Sequence, residues 1–499
     1  MGIIVETEFG KIEGESRGAH ERFLGIPYAA PPLGERRWRA PEPPARWAHT
    51  RPALAFSPAC PQTPSALPGM AVGAQDEDCL YLNVYTPRAD GKRRPVFFWI
   101  HGGGFTAGAG SQALYDGGAL AERGDVVVVT INYRLGALGY LSLPGGDANL
   151  GQLDQIAALR WTRANIAAFG GDPEQITIAG ESAGGMAVAT LLGMPDARGL
   201  FRAAVPQSGA AHNVHSPESS TRVVESFLQA LGLPKADLAA LRALPAAKLV
   251  EAQGRVLAER RAIGLLAFAP TVDPASLPVR PLEAVRGGSA RGVALLVGSN
   301  RDEVKLFRLG VAESAALSEE ALAKRVRAGL AASRIDESHG ARLIETYRKA
   351  RAGRASTEPG ELLDAIDSDR TFRIPAVRLA EAQAPHEPRT FMYLFTWPSP
   401  ARRSTLGACH ALELPFMFGT LEAPTMDRFA GKGPEAELLS ARMMDAWIAF
   451  ARGGRPGHAD LPDWPGYEAR ARATLIFDRR CELAHAPLET ERAVWDGLL

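Results

Sequence analysis

The stretch from Gln175 to Met186 constrains the fold most, because an apolar run passes there into a turn that only small residues allow. The run Ile176–Ile178 consists of β-branched residues typical of a buried strand. It leads into Gly180-Glu-Ser-Ala-Gly184, a G-x-S-x-G pattern in which a strand meets a helix in a tight turn. Such a turn raises the Ser182 hydroxyl above the sheet and puts the Ala183 N–H at a helix start, facing any developing negative charge. The pattern therefore predicts Ser182 as a nucleophile.

The pattern alone is weak evidence in a chain with 51 glycines among 499 residues, so the surrounding strands matter. Val96–Ile100 and Val126–Ile131 are continuous apolar runs, as in central strands that are covered on both faces. Helical spacing over residues 154–169 separates the second run from the strand before Ser182. Strands and helices that alternate in this way predict an α/β fold with a largely parallel sheet and right-handed crossovers.

A second glycine-rich turn follows the first of these strands. Its sequence, His101-Gly-Gly-Gly-Phe105, exposes backbone N–H groups without obstruction by side chains. We expect the N–H groups of Gly103 and Gly104 to join that of Ala183 as donors to an oxyanion. This motif is much rarer by chance than the serine pattern, and its place at a strand end favours a catalytic role over a flexible turn.

Acyl transfer from a serine also needs a base and an acid that orients the base. Two carboxylates, Asp302 and Glu303, follow the predicted strand 294–298, and spacing alone leaves both as candidates. His410 lies beyond a later predicted strand, 391–397, and completes the chain order serine, acid, histidine. That order favours His410 over the other histidines weighed for this role, which are His212, His215, His339 and His386.

Charge and hydropathy exclude several classes of partner. The 56 basic and 56 acidic residues give a formal net charge of zero, so we expect neither nucleic acid nor an anionic membrane as a partner. No apolar run approaches the roughly 18–20 residues of a membrane helix. The N-terminus lacks the basic and apolar regions of a signal peptide. We therefore expect a soluble, cytoplasmic protein, unless a leader has been removed.

The cysteines and histidines indicate neither a metal site nor a cofactor. No C-x-x-C pair occurs, and no cluster of His, Cys and carboxylates has metal-ligand spacing. The four cysteines are too few for a disulfide framework in so long a chain. They are Cys60, Cys79, Cys409 and Cys481.

Amphipathic helical patterns over residues 215–260 and 310–385 are interpreted as insertions that cap the sheet. The chain contains no internal repeat, linker or low-complexity tract. We therefore expect one catalytic domain over residues 1–499, as a monomer or a small homo-oligomer.

Together these motifs resemble the type-B carboxylesterases, the family that includes bacterial para-nitrobenzyl esterases and the cholinesterases. The resemblance runs nearly end to end and implies an α/β-hydrolase fold, with a central, mostly parallel sheet and helical insertions over a deep gorge. Besides the two glycine motifs, it rests on Gly25–Ala29, Pro31–Gly34, Glu77–Asn83, Asn132–Gly136, Asn149–Gln155, Phe169–Pro173 and Gln207–Gly209.

The resemblance also implies roles for particular residues. The last residue of the family's G-x-N-x-D-E motif is the triad acid, which selects Glu303, and the family's histidine motif falls on His410. A second buried polar network behind the triad would consist of Glu181, Ser208 and Glu413. A buried carboxylate of this kind needs hydrogen-bond partners.

The chain departs from the cholinesterases in the loop bracketed by its first two cysteines. In those enzymes a tryptophan in this loop holds the quaternary ammonium of choline, but Pro61–Asp78 contains no aromatic residue, which argues against a cholinesterase. The family's first disulfide would join Cys60 and Cys79. In a reducing cytoplasm we expect them as thiols.

The function that the resemblance implies is a serine carboxylesterase acting on small esters of short to medium acyl chain, or of aryl and alkyl alcohols. Hydrolysis of carbamates or activated amides would need the same residues and is the alternative. A cholinesterase-like binding protein without catalysis is less favoured, because the serine, glutamate and histidine are all present. A membrane-acting lipase is disfavoured by the lack of an apolar lid signature.

Overall fold

Apolar runs form the centre of one mixed sheet. The computed structural model describes residues 2–64, 71–261, 266–308 and 317–499, and these residues contain thirteen strands. Numbered β1 to β13 in chain order, the strands are Ile3–Thr7, Gly10–Ser16, Glu21–Pro27, Arg51–Pro52, Tyr81–Thr86, Arg94–Ile100, Val127–Ile131, Gly171–Glu181, Ala203–Gln207, Ala294–Asn300, Thr390–Phe395, Ala473–Phe477 and Glu482–His485.

The strand order places the predicted catalytic segments at one edge of the sheet. The order is β1-β2-β3-β5-β7-β6-β8-β9-β10-β11-β12-β13, and β4 pairs with β2. The strands from β7 to β12 in this order are parallel neighbours, while the two ends of the sheet are antiparallel. Because parallel strands end on the same side, the segments after β6, β8 and β10 meet there.

The central strands are apolar throughout because both faces of the sheet are covered. On β6, Val96, Phe98 and Ile100 join one buried cluster, while Phe97 and Trp99 join a second cluster on the opposite face. The prediction of buried parallel strands is therefore confirmed.

Helices cover both faces of the sheet and one end of it. Numbered α1 to α16 in chain order, they are Gly118–Gly124, Gly136–Tyr140, Leu150–Asn165, Ala183–Leu191, Pro217–Leu231, Leu238–Arg242, Ala246–Arg261, Pro281–Arg286, Glu319–Ala332, Gly340–Arg351, Pro359–Ser368, Ile374–Gln383, Leu414–Phe418, Met426–Phe429, Pro434–Gly453 and Glu489–Ala493. A π-helical turn, Asp369–Arg373, joins α11 to α12.

The predicted insertions contain α5 to α7 and α9 to α12. Residues 310–316 of the second insertion lie outside the described residues, as do residues 65–70 of the loop after Cys60. Helices α9 to α11 bury a third apolar cluster that includes Trp495. Among the described residues, no helix has the length and apolar character needed to span a membrane.

Candidate active site

Ser182 lies at a sharp turn between β8 and α4. Its backbone has φ 57° and ψ −125°, a conformation that costs a non-glycine residue of order 1–3 kcal/mol. The turn is tight, because a Cβ on Gly184 or Gly180 would lie 2.1 or 2.6 Å from the carbonyl oxygen of Ile100. The Ser182 N–H donates to the carbonyl oxygen of Gln207 at 2.9 Å. The strained serine is therefore fixed at the carboxyl end of β8, as the G-x-S-x-G pattern predicts.

An alanine in place of Gly184 is expected to destabilise the fold, because its Cβ would meet a backbone oxygen of β6. We expect Gly184→Ala to lower the free energy of unfolding by about 2–3 kcal/mol, measured by urea denaturation. In the matched control, Gly453→Ala, the added Cβ has no heavy atom within 4 Å. Because alanine is the better helix residue, the control should be as stable as the wild type or more stable by up to about 1 kcal/mol. Equal losses in the two variants would contradict this account of the turn.

The imidazole of His410 is held by Glu303, the first residue of a short 3-10 turn, Glu303–Arg308, which we call the acid turn. Nδ1 lies 2.6 Å from Glu303 Oε2, while Oε1 accepts a hydrogen bond from the Asn300 N–H at 2.8 Å. Glu303 is 0% exposed and His410 is 4% exposed. A buried carboxylate at Nδ1 favours the proton on that nitrogen, so Nε2 is left as the basic atom.

Asp302, the other acid that spacing allowed, does not contact the imidazole but binds the backbone of the loop that carries His410. Its carboxylate accepts a hydrogen bond from the Ala408 N–H at 2.9 Å, and its own N–H donates to the Ala408 carbonyl oxygen at 2.8 Å. The His410 N–H also donates to the carbonyl oxygen of Glu303 at 3.2 Å. The structure thus separates two neighbouring acids by what each one contacts.

Glu181 brings a second carboxylate to the imidazole. Its Oε1 lies 3.0 Å from His410 Nε2, an ion-pair distance without the alignment of a hydrogen bond. Burial disfavours the imidazolium, but the Glu181 and Glu303 carboxylates outweigh burial and raise the pKa of His410 well above its usual range. Burial raises the pKa of Glu181 in turn. In this structure Nε2 therefore faces Glu181, and no hydrogen bond joins it to Ser182 Oγ.

Neutralising Glu181 is expected to make His410 less basic. The carboxylate favours the imidazolium, so Glu181→Gln should lower the pKa of His410. Because a general base acts as the neutral imidazole, the rise of kcat/KM on the acid side of its pH profile should then move to lower pH. The measurement is the pH dependence of kcat/KM for a chromogenic ester. As a control, Glu21→Gln removes another buried carboxylate and should leave the pH profile of kcat/KM unchanged. A pH profile that is also unchanged in Glu181→Gln would refute the electrostatic coupling between Glu181 and His410.

Three backbone N–H groups lie free at the expected oxyanion hole. Those of Gly103, Gly104 and Ala183 donate to no acceptor among the described residues. Gly103 and Gly104 have φ of 111° and 63°, and a Cβ on Gly103 would lie 2.1 Å from the carbonyl oxygen of Ala107. Ala183 begins α4, where the helix dipole adds partial positive charge. Such donors suit the negative oxygen of a tetrahedral intermediate.

His101 packs against the glycine turn that contains Gly103 and Gly104. Its ring stacks on Tyr133 with 4.4 Å between centroids, and its Nδ1 lies 2.8 Å from the carbonyl oxygen of Gly102. The Tyr133 hydroxyl donates to the His101 carbonyl oxygen at 2.7 Å. Burial lowers the pKa of His101 to about 4, so the ring is neutral and packs as part of the turn.

Glu413 is the centre of a second buried polar group behind the imidazole. Its Oε2 accepts from Asn300 Nδ2 at 2.6 Å and its Oε1 from Gln207 Nε2 at 3.2 Å. Trp447 Nε1 donates to Gln207 Oε1 at 2.9 Å. Burial raises the pKa of Glu413 to about 8, which favours its neutral form. Ser208 Oγ has no hydrogen-bond partner among the described residues, and the side chains that donate to Glu413 there are Asn300 and Gln207.

Two phenylalanines flank the imidazole of His410. The Phe307 and Phe372 rings lie 4.9 and 4.8 Å from it, centroid to centroid. Phe307 is 52% exposed and Phe372 is 4% exposed, so Phe307 offers an apolar face to a ligand. Sequence reasoning missed Phe372, because the π-helical turn that brings it to the imidazole has no recognised sequence signal.

Among the described residues, one further group of side chains could supply metal ligands. Ligand atoms of Asp445, His458 and Asp460 lie within 4.8 Å of one another. Both Asp445 oxygens, however, accept hydrogen bonds from Arg123 at 2.7 Å. The guanidinium already balances this carboxylate, so the group does not make a case for a metal.

Comparison with known proteins places the chain in one family. The model described as the carboxylesterase family matches residues 2–495. The para-nitrobenzyl esterase of Bacillus subtilis (strain 168) is 40% identical over 499 residues, which covers 98% of this chain and 97% of that protein. Phenmedipham hydrolase of Pseudarthrobacter oxydans is 36% identical over 492 residues, covering 96% of each chain.

Solved structures show the same fold. A Geobacillus stearothermophilus carboxylesterase at pH 6.2 aligns with a TM-score of 0.87 and 40% identity, covering 99% of each chain. A para-nitrobenzyl esterase structure aligns with a TM-score of 0.88 and 38% identity over 98% of this chain and 99% of that chain. With its α/β-hydrolase fold and these end-to-end matches, the chain is a carboxylic ester hydrolase that belongs to the carboxylesterase family.

Proposed function

We propose that Ser182 attacks the carbonyl carbon of a small ester, with His410 as the base and Glu303 as the acid that orients it. The observation that carries this proposal is the strained Ser182 backbone at the strand end, combined with the 2.6 Å contact between His410 and Glu303. His410 Nε2 takes the serine proton as the tetrahedral intermediate forms. Glu303 at Nδ1 and Glu181 beside Nε2 stabilise the imidazolium, which favours this proton transfer.

The oxyanion would be held by the N–H groups of Gly103, Gly104 and Ala183, which are free of acceptors in the described protein. His410 then returns its proton to the leaving alcohol, and an acyl-enzyme ester remains on Ser182. Water, activated by His410, attacks that ester in the same way and releases the acid. Apart from this water, each step uses only the side chains and backbone groups described above.

The proposed substrates are esters of short to medium acyl chain, or of aryl and alkyl alcohols. The exposed Phe307 ring beside His410 supports an aryl or alkyl group near the reacting carbonyl. The similarity to a para-nitrobenzyl esterase supports the same substrate class.

The test is hydrolysis of para-nitrophenyl esters from acetyl to palmitoyl by the purified protein. We expect kcat/KM to peak at short to medium chains and to fall for long chains. Activity that rises toward long, micellar esters would instead indicate a lipase. An absence of ester turnover, together with no reaction with a sulfonyl fluoride, would refute the proposed catalytic roles.

Carbamate hydrolysis is a second candidate function. It is favoured by the 36% identity over nearly the full length to phenmedipham hydrolase, since phenmedipham is an aryl carbamate. Matched aryl ester, carbamate and anilide substrates would separate the activities. Carbamate turnover that depends on Ser182 would support the candidate, and its complete absence would remove it.

Location and assembly are also part of the proposal. We propose a cytoplasmic monomer or small homo-oligomer without a nucleic-acid partner. The four buried cysteines, which are free thiols in the structure, are compatible with a reducing compartment. Cell fractionation and light scattering of the purified protein would test location and assembly.

A further inference from the structure

The acid turn is fastened to helix α11 by charged side chains. Lys305 Nζ lies 2.9 and 3.1 Å from the two carboxylate oxygens of Glu361. Arg308 donates to Asp367 Oδ2 at 3.0 Å and also pairs with Asp364. Two cations of the turn thus meet three acids of the helix.

The spacing of these residues gives two complementary rows. A 3-10 helix has three residues per turn, so Lys305 and Arg308 stand one turn apart on one face of the acid turn. Residues three apart are also neighbours on an α-helix, so Glu361, Asp364 and Asp367 follow one another along α11. We call these five side chains the charged clasp.

The clasp is partly withdrawn from water. The exposed fractions of its side chains are 13% for Lys305, 17% for Arg308, 14% for Asp364, 20% for Asp367 and 36% for Glu361. The Lys349–Glu345 pair on α10 has exposed fractions of 73% and 66%. Since salt screens partly buried pairs less than exposed ones, the clasp should hold the turn more firmly than ordinary surface pairs would.

The clasp continues into contacts that reach the imidazole. Ser368 Oγ, at the end of α11, accepts a hydrogen bond from the Val304 N–H at 3.2 Å. The next residues form the π-helical turn whose Phe372 lies 4.8 Å from the His410 ring. The acid turn itself supplies Glu303 to Nδ1 and Phe307 to the other side of that ring. Helix α11 therefore contacts the acid turn and continues into the π-helical turn, and these two segments hold the imidazole of His410.

We propose that Lys305, Arg308 and the three acids of α11 are positioning residues for the ester hydrolysis. The charged clasp holds the acid turn so that the Glu303 carboxylate stays on His410 Nδ1 and Phe307 stays beside the ring. This inference rests on the catalytic roles proposed above for Glu303 and His410. The clasp touches neither Ser182 nor the oxyanion donors in the described structure, so its effect on the reaction is transmitted through the acid turn.

The experiment is a charge exchange across the clasp. Lys305→Glu and Glu361→Lys each place like charges together, and each is expected to lower kcat/KM for para-nitrophenyl acetate by about tenfold or more, because the triad acid shifts. The double variant restores opposite charges and should recover to within about threefold of wild type. Recovery should be incomplete, because Asp302 lies 3.9 Å from Lys305 Nζ and would repel a glutamate there.

Two further measurements separate positioning from simple stabilisation. The rate constant for inactivation by a sulfonyl fluoride should follow kcat/KM through the series, since it reports the reactivity of Ser182 without an ester. The melting temperature is measured in parallel. The matched control exchanges Arg348 and Glu319, another ion pair among the cap helices, with N–O distances of 2.8 and 2.7 Å. This exposed control pair should leave kcat/KM at low temperature unchanged in every member of its series, whether or not the melting temperature moves.

The outcomes decide between the two roles. Loss of kcat/KM in both single variants, with recovery in the exchange, supports the clasp as a positioning device. Single variants that melt earlier but keep wild-type kcat/KM at low temperature would overturn it, as would an exchange that restores the melting temperature alone. If Glu303→Gln is inactive while Lys305→Glu keeps wild-type activity, the positioning role of the clasp is refuted and the proposed catalytic role of Glu303 is retained. If Glu303→Gln is fully active, the triad itself fails.

Discussion

Replacing Ser182 with alanine is expected to lower kcat for ester hydrolysis by about 10⁶-fold, as in other serine hydrolases that lose the nucleophile. Without Oγ no acyl-enzyme can form, and water would have to attack the ester directly. The free N–H groups of Gly103, Gly104 and Ala183 would remain, so a small residual rate above that of the uncatalysed reaction is expected. The measurement is burst and steady-state release of para-nitrophenol by matched amounts of wild type and variant.

The fold should survive this change, which makes the result interpretable. Alanine keeps the Cβ that already occupies the strained turn, and Ser182 Oγ makes no hydrogen bond within the described protein. The melting temperature of Ser182→Ala should therefore match that of the wild type. A variant that keeps most of its ester turnover, or that still reacts with a sulfonyl fluoride at the wild-type rate, would show that another residue is the nucleophile.

Glu303→Gln carries the second largest expected effect, a loss of about 10⁴-fold in kcat, by analogy with triads whose acid is replaced by its amide. Glutamine keeps the shape of the side chain and can still accept from the Asn300 N–H. It removes the negative charge that stabilises the imidazolium, and it can present an N–H to Nδ1, which favours the wrong tautomer of His410. Single-turnover release of para-nitrophenol measures the chemical step.

The neighbouring acid provides the matched comparison. Asp302→Asn weakens the hydrogen bond from the Ala408 N–H and the contact with the exposed Arg301 side chain, and it leaves the charge at Nδ1 in place. A bond of this kind contributes about 1 kcal/mol, so kcat should fall by less than about tenfold. If Asp302→Asn were the more damaging change, the assignment of the acid to Glu303 would be wrong.

The features that the sequence predicts well are those with local causes. Strand ends are predicted by the β-branched run before Gly180 and by the three glycines after His101, because the turns that follow leave no room for a Cβ. The structure confirms the buried parallel strands and brings His410 to Glu303. Sequence spacing cannot decide between Asp302 and Glu303, because the two acids are adjacent in the chain. Which of them reaches His410 depends on the side-chain directions that the local backbone sets.

Other features depend on contacts between distant segments. The approach of Glu181 to His410 Nε2, and the hydrogen bonds from Asn300 and Gln207 to Glu413, follow from side-chain directions that no local pattern encodes. The charged clasp joins residues more than fifty positions apart, and each of its members alone reads as an ordinary surface charge. Physical partners of this kind become visible only when the strands and helices are assembled.

The strand order also has a consequence for how the protein is made. A ribosome delivers Ser182 more than two hundred residues before His410, because the two lie on opposite sides of β9 to β11 in the chain. At about 5–20 residues per second, this interval lasts roughly 10–45 s. For part of that interval β9, which pairs with β8, still lacks its other neighbour β10, and its apolar edge is exposed to other chains. Newly made enzyme is thus inert toward esters until its last third has emerged, and demand for chaperones should be greatest in that interval.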